Sequence, residues 1–152
     1  PRRPCQPPMP VAARLRAAPV RPALRLATLN VAGRLAANST VVAHLAVDHA
    51  VDVLALQEVK LGGSEIASFV GRVNDAAAAR AAARRSLHTG FSYRAAPNVS
   101  AVRRAGVVLL FRKAAAVELL ADADADYHWS GRMVFATVKW RGHTLQLVNA
   151  YC

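Results

Sequence analysis

Two residues stand where α/β proteins do their chemistry. Glu58 closes the run Val51-Asp52-Val53-Leu54-Ala55-Leu56-Gln57-Glu58, whose side chains are mostly apolar. A nearly continuous apolar run of this length reads as a strand buried on both faces. The Glu58 carboxylate then sits at the carboxyl end of that strand, and α/β folds bind ligands outside such ends. Asn30 closes another short run, in which Leu24, Leu26 and Thr28 alternate with Arg25, Ala27 and Leu29. A lone carboxylate at a strand end is commonly just solvated, and Asn is first of all a turn-former. Neither residue identifies a site alone.

Other chemistry-bearing patterns fail on their spacing. Asp122-Ala123-Asp124-Ala125-Asp126 opens like a calcium loop, but Tyr127 stands where the loop needs Gly and Met133 where it needs Glu. It reads as a solvated loop. The histidines (His44, His49, His88, His128, His143) are scattered, with no His-Glu-x-x-His and no cysteine beside them. There is no glycine-rich phosphate cradle and no Gly-x-Ser-x-Gly elbow. Cys5 and Cys152 lie at opposite ends, which makes neither a disulfide framework nor a metal knuckle and fits a reducing compartment. Asn38-Ser39-Thr40 and Asn98-Val99-Ser100 match the glycosylation triplet, but no signal peptide accompanies them.

The elements that would position Asn30 and Glu58 follow from pattern. Asn38-Ser39-Thr40 reads as an N-cap for a helix through Val41, Val42, Leu45 and Ala46 to about residue 50. Ser64 caps a second helix with Ile66, Phe69, Val70 and Val73 on one face, continued by the alanine-rich stretch to Ala83 and closed by His88-Thr89-Gly90. Short strands are expected at Phe91 to Ala95, Gly106 to Phe111 and Val117 to Leu120. Residues 97 to 104 and 122 to 131 read as loops. Met133 to Trp140 pairs through an Arg141-Gly142 turn with His143 to Asn149 as a hairpin. Two early helices followed by strand-rich sequence predict an α/β sandwich with mixed sheets.

Composition narrows the partner. The 152 residues carry a formal net charge of +11, with 54% apolar residues. That apolar content can bury a core, and no apolar run is long enough to span a membrane. Residues 1 to about 23 are rich in Pro and Arg with no acidic residue, and read as a disordered basic tail. Six arginines between Arg2 and Arg25 account for just over half of the net charge. The excess favours an anionic partner, nucleic acid first. Alanine exceeds a fifth of the chain and Arg far outnumbers Lys, a bias that GC-rich coding also produces. The chain begins at Pro1, and it stops at Cys152 directly after a strand-like run. It therefore reads as a piece of a longer reading frame.

Together the motifs resemble a known family. They are Leu26-Ala27-Thr28-Leu29-Asn30-Val31-Ala32-Gly33, Asp52 to Lys60 with Gln57-Glu58 at its centre, Ala105-Gly106-Val107-Val108-Leu109-Leu110, Gly131-Arg132, and Leu147-Val148-Asn149-Ala150-Tyr151. In this order they are similar to the endonuclease/exonuclease/phosphatase superfamily, the DNase I-like fold. The nearest flavour is the apurinic-like endonuclease domain of non-LTR (LINE-type) retrotransposon polyproteins. The resemblance covers about Leu24 to Cys152.

The resemblance implies a DNase I-like αββα sandwich with mixed sheets, truncated to about its first half, so that this chain supplies about one of the two sheets. It implies that Glu58 binds a divalent metal, Mg²⁺ with Mn²⁺ possible. Asn30 would orient the metal and its water network, and Tyr151 would approach the scissile phosphate, with Asn149 a weaker candidate on the same strand end. Mg²⁺ suits such a set, because it takes oxygen ligands from one or two carboxylates plus substrate phosphate. Ala32 stands where many relatives carry Asp or Asn. The family's later Asp-x-Asn and Ser-Asp-His motifs are absent from the sequence.

The expected parent is an intracellular (nuclear or cytoplasmic, not secreted) Mg²⁺-dependent phosphodiesterase that nicks DNA for a retroelement. DNA would be held by its phosphate backbone, and the polypeptide beyond Cys152 would complete the site, so this piece alone is expected to be inactive. Two alternatives remain. One is a phosphoinositide phosphatase or sphingomyelinase-like member of the same superfamily. The other is a noncatalytic, basic nucleic-acid-binding remnant.

Overall fold

The structure is a computed structural model. It describes residues 23–32, 35–86, 90–96, 106–113, 115, 117–120 and 131–151. The strands and helices within them are β1 (Leu26–Asn30), α1 (Leu35–Asp48), β2 (Val53–Gln57), α2 (Gly63–Ala83), β3 (Phe91–Ala96), β4 (Val107–Arg112), β5 (Val117–Leu119), β6 (Met133–Trp140) and β7 (His143–Ala150). The basic segment up to residue 22 and the loops expected at 97–104 and 122–130 fall outside the described residues, as do His88 and Thr89.

The α/β class with mixed sheets stands. One sheet has the order β1-β2-β4-β3, with β1 parallel to β2 and the other pairs antiparallel. Parallel neighbours need a crossover connection, which α1 supplies. Both central strands are apolar because both faces are covered, and all six residues of β4 are buried. On one face Leu54, Leu56, Val108 and Leu110 pack against Val42, Ala46, Phe69 and Val73 of the helices. Asp48 of α1 accepts two hydrogen bonds from Arg80 of α2, at 3.0 and 2.8 Å, which ties the helix layer together.

The expectation of a single sheet is corrected. Strands β5, β6 and β7 form a second, three-stranded antiparallel sheet. The β6–β7 hairpin does not extend the first sheet but lies on its free face. There Val134, Ala136 and Val138 meet Val53, Val107, Leu109 and Phe111. The alternation of β6, buried at every second residue, supplies that inner face. The layers are therefore helices, sheet and sheet. The hairpin turns through Arg141 and Gly142, whose φ values of 50° and 83° suit a two-residue type I′ connection.

Both helix starts differ from expectation. Helix α1 begins a turn early, at Leu35, so Asn38 is no cap. Its Nδ2 donates instead to the Val31 carbonyl at 3.3 Å, tying the helix to the end of β1. Helix α2 is capped at Gly62 rather than Ser64, because the Glu65 carboxylate reaches back to accept the Gly62 N–H at 2.8 Å. Its helical turns stop at Ala83, the end of the expected alanine-rich stretch, and the closing His88 and Thr89 lie outside the described residues.

Candidate functional site

Parallel pairing of β1 and β2 puts two carboxyl ends side by side, with Asn30 in register with Gln57. Pairing runs one step further, where the Val31 N–H donates to the Gln57 carbonyl at 3.0 Å. Beyond it both chains turn. Asn30 Oδ1 accepts the Ala32 N–H at 2.9 Å, and Asn30 Nδ2 donates to Glu58 Oε1 at 2.8 Å. One amide thus closes its own turn and fixes the neighbouring carboxylate.

After β2, Glu58 and Lys60 flank the fully buried Val59, whose N–H donates to the Gly106 carbonyl at 2.9 Å. Lys60 Nζ lies 3.3 Å from Glu58 Oε2. Among the described residues six non-glycine positions have positive φ. Ala50 and Arg85 follow helix ends and Arg141 sits in the hairpin turn, all ordinary places for that conformation. The other three, Ala32, Glu58 and Lys60, are gathered where β1 and β2 end. Left-handed non-glycine backbone concentrates at functional sites, where surrounding structure holds it in place.

The second sheet brings the third segment. Asn149 is 2% exposed. Its Nδ2 donates to the carbonyls of Leu56 at 2.9 Å and Val108 at 3.0 Å. Its Oδ1 accepts from Gln57 Nε2 at 2.9 Å, and Gln57 also donates to Thr28 Oγ1 at 2.7 Å. Every polar atom of the Asn149 side chain is therefore engaged, and β7 is pinned across β2 and β4. Two residues on, the Tyr151 N–H donates to the Arg132 carbonyl at 2.8 Å, which brings the Tyr151 phenol close enough to Glu58 for each to shift the other's titration.

Of the four residues singled out from sequence, the fold gathers Asn30, Glu58 and Tyr151 at one place. Asn149 lies behind them, buried and saturated, where it positions Tyr151 rather than facing a ligand. Lys60, Gln57, Thr28 and Arg132 also belong to this neighbourhood and carried no individual signal in the sequence beyond their place in the motifs.

The electrostatics are one-sided. Hydrogen bonds from Asn30 first, then Tyr151 and Lys60, hold the Glu58 carboxyl below its ordinary range. The same carboxylate, helped by burial, pushes the Tyr151 phenol upward, and the charge of Arg132 partly opposes this. Glu58 is thus an anion at neutral pH and Tyr151 a protonated donor.

Only certain metals suit this donor set. No group of three or more His, Cys, Asp or Glu side chains converges among the described residues. Zn²⁺ and EF-hand Ca²⁺ sites need several protein ligands. A single ionised carboxylate beside an amide fits a hard, largely hydrated cation of the Mg²⁺ type, which takes its remaining ligands from water and phosphate. Asn30 fits as the residue that orients the carboxylate, since its Oδ1 is already occupied by the Ala32 N–H. No helix among the described residues is long and apolar enough to cross a membrane. No protein-family model matches the chain, and no curated protein matches it.

Proposed function

We propose that this chain carries the metal-binding part of a Mg²⁺-dependent phosphodiesterase of the DNase I-like superfamily, and that the protein it contributes to nicks DNA for a retroelement. The observation that carries this reading is the convergence of Asn30, Glu58 and Tyr151 from three strand ends, with Glu58 held ionised. The layering of helices, sheet and sheet, and the strained backbone at Ala32, Glu58 and Lys60, support it. The net charge of +11 supports a phosphate polymer as substrate.

In this reading Glu58 holds Mg²⁺, or Mn²⁺ in its place. When bound, the ion polarises a phosphoryl oxygen and offsets the charge that builds during hydrolysis. Asn30 keeps the carboxylate aimed and deprotonated. Tyr151 offers a hydroxyl proton as a hydrogen bond to an anionic oxygen and does not serve as a base. Asn149 and Gln57 hold the strand ends at fixed separation.

The test has two parts. Mg²⁺ titrated into the chain should perturb the Asn30 and Glu58 NMR resonances, and Glu58→Gln should abolish the response. A polypeptide extending beyond Cys152 should nick plasmid DNA with Mg²⁺, and Glu58→Gln should cut that rate by about a hundredfold or more. Robust nicking that survives Glu58→Gln would sink the reading. A noncatalytic remnant, which the basic charge and Ala32 would also suit, would bind DNA with no response to Mg²⁺.

A further inference from the structure

The Glu58 carboxylate has no idle oxygen. Oε1 accepts from Asn30 at 2.8 Å, Oε2 faces the Lys60 ammonium at 3.3 Å, and the Tyr151 phenol lies close enough to favour the anion as well. A cation that binds either oxygen must crowd or displace the partner already there. Asn30 is anchored at both ends of its amide, by the Ala32 N–H and by Glu58 itself. Tyr151 is held by its backbone bond to Arg132 and by packing in the inter-sheet core. Among the described residues the Lys60 ammonium pairs with Glu58 and has no second anchor of this kind. Its side chain is 34% exposed on a long flexible stem, and its ammonium is rehydrated as it leaves.

We infer that Lys60 is a built-in rival of the divalent cation for Glu58, so that the metal binds by displacing the ammonium from Oε2. This rests on reading Glu58 as a metal ligand. Carboxylate oxygens bind Mg²⁺ at about 2.0–2.1 Å. An ammonium hydrogen-bonded to the same oxygen would then lie within a few ångström of a double positive charge, and like charges at that range repel even in high dielectric. Lys60 therefore lowers metal affinity. The opposite sign would follow if Lys60 served mainly to keep Glu58 ionised. A carboxyl of ordinary acidity is an anion at neutral pH with or without Lys60, so losing Lys60 leaves the anion in place and removes the competitor.

The experiment is Mg²⁺ titration of the whole chain by calorimetry and by NMR at Asn30 and Glu58, at low ionic strength. Wild type is compared with Lys60→Gln, Lys60→Met, Lys60→Arg and Glu58→Gln, each checked for an unchanged melting curve. Lys60→Gln and Lys60→Met should each bind Mg²⁺ roughly three- to tenfold more tightly than wild type, the range expected for removing one partly exposed ion pair and one nearby like charge. Lys60→Arg, which keeps the charge, should stay within about twofold of wild type. If both neutral variants bind equally or more weakly while binding still depends on Glu58, the Lys60 inference is overturned and the metal-site reading stands. If Glu58→Gln binds as well as wild type, or neither wild type nor the neutral variants bind, the metal-site reading falls and the Lys60 inference falls with it.

Discussion

At the scale of single residues, the Glu58 carboxylate ties the site together. Its titration should fall below the ordinary value of 4.5, because three donors favour the anion. The depressed value means that the stabilising bonds are fully present above 4.5 and are lost as pH falls through the depressed midpoint. The raised Tyr151 runs the other way: its bond to Glu58 is intact below pH 10 and lost as pH climbs through the raised midpoint. Asn30→Ala should move the Glu58 midpoint up by more than Tyr151→Phe does, following the order of their contributions. Carbon-detected NMR titration of the carboxylate measures both, and an inverted order would discount the amide bond seen at 2.8 Å.

Asn30 and Glu58 were legible in the sequence because each ends an apolar run, and strand ends are where α/β proteins place ligands. Tyr151 was legible only through resemblance, since nothing local marks a tyrosine after a strand as functional. Lys60 was not legible as a competitor for Glu58. Its role depends on where two left-handed residues aim a short loop, and left-handed backbone at Glu or Lys has no sequence signature.

At the scale of elements, hydrophobic period sufficed for existence and type. The face Ile66, Phe69, Val70 and Val73 marked α2, and alternation with an Arg-Gly turn marked the β6–β7 hairpin. Helix starts were missed where tertiary contacts outweighed the local cap signal, as when the Asn38 amide donates to the Val31 carbonyl instead of accepting an N–H from its own helix. The placement of the hairpin on the face of the first sheet was also missed, because apolar alternation says that one side is buried without saying against what. Asn149 fixes that placement. Asn149→Ala should cost about 3 kcal/mol, since two buried hydrogen bonds and one part-buried one go at once. Urea denaturation of the chain checks this, and a loss below about 1 kcal/mol would show that the two sheets hold together by apolar contact alone.

At the scale of the whole molecule, charge is the dominant property. A chain with net charge +11 should bind duplex DNA with affinity that drops about tenfold or more between 50 and 200 mM salt, whether or not Mg²⁺ is present. Fluorescence anisotropy at the two salt concentrations reads this out. An unchanged affinity would remove nucleic acid backbone as the partner of the basic excess.

The Asn149 clasp also bears on when the site comes into being. Gln57 and Asn149 are 92 residues apart in sequence, and Asn149 and Leu56 are 93 apart. Contacts of such separation close large loops and are costly to form early. Asn30 and Glu58 can meet as soon as β1 and β2 pair, whereas Tyr151 arrives only with β7. The nascent chain therefore passes through a stage in which the carboxylate is aimed but not yet completed. In the native state, a local opening at the end of β7 that released Tyr151 would return it to that stage without unfolding the helices. Amide hydrogen exchange at Tyr151 would then report the assembly of the site separately from the folding of its scaffold.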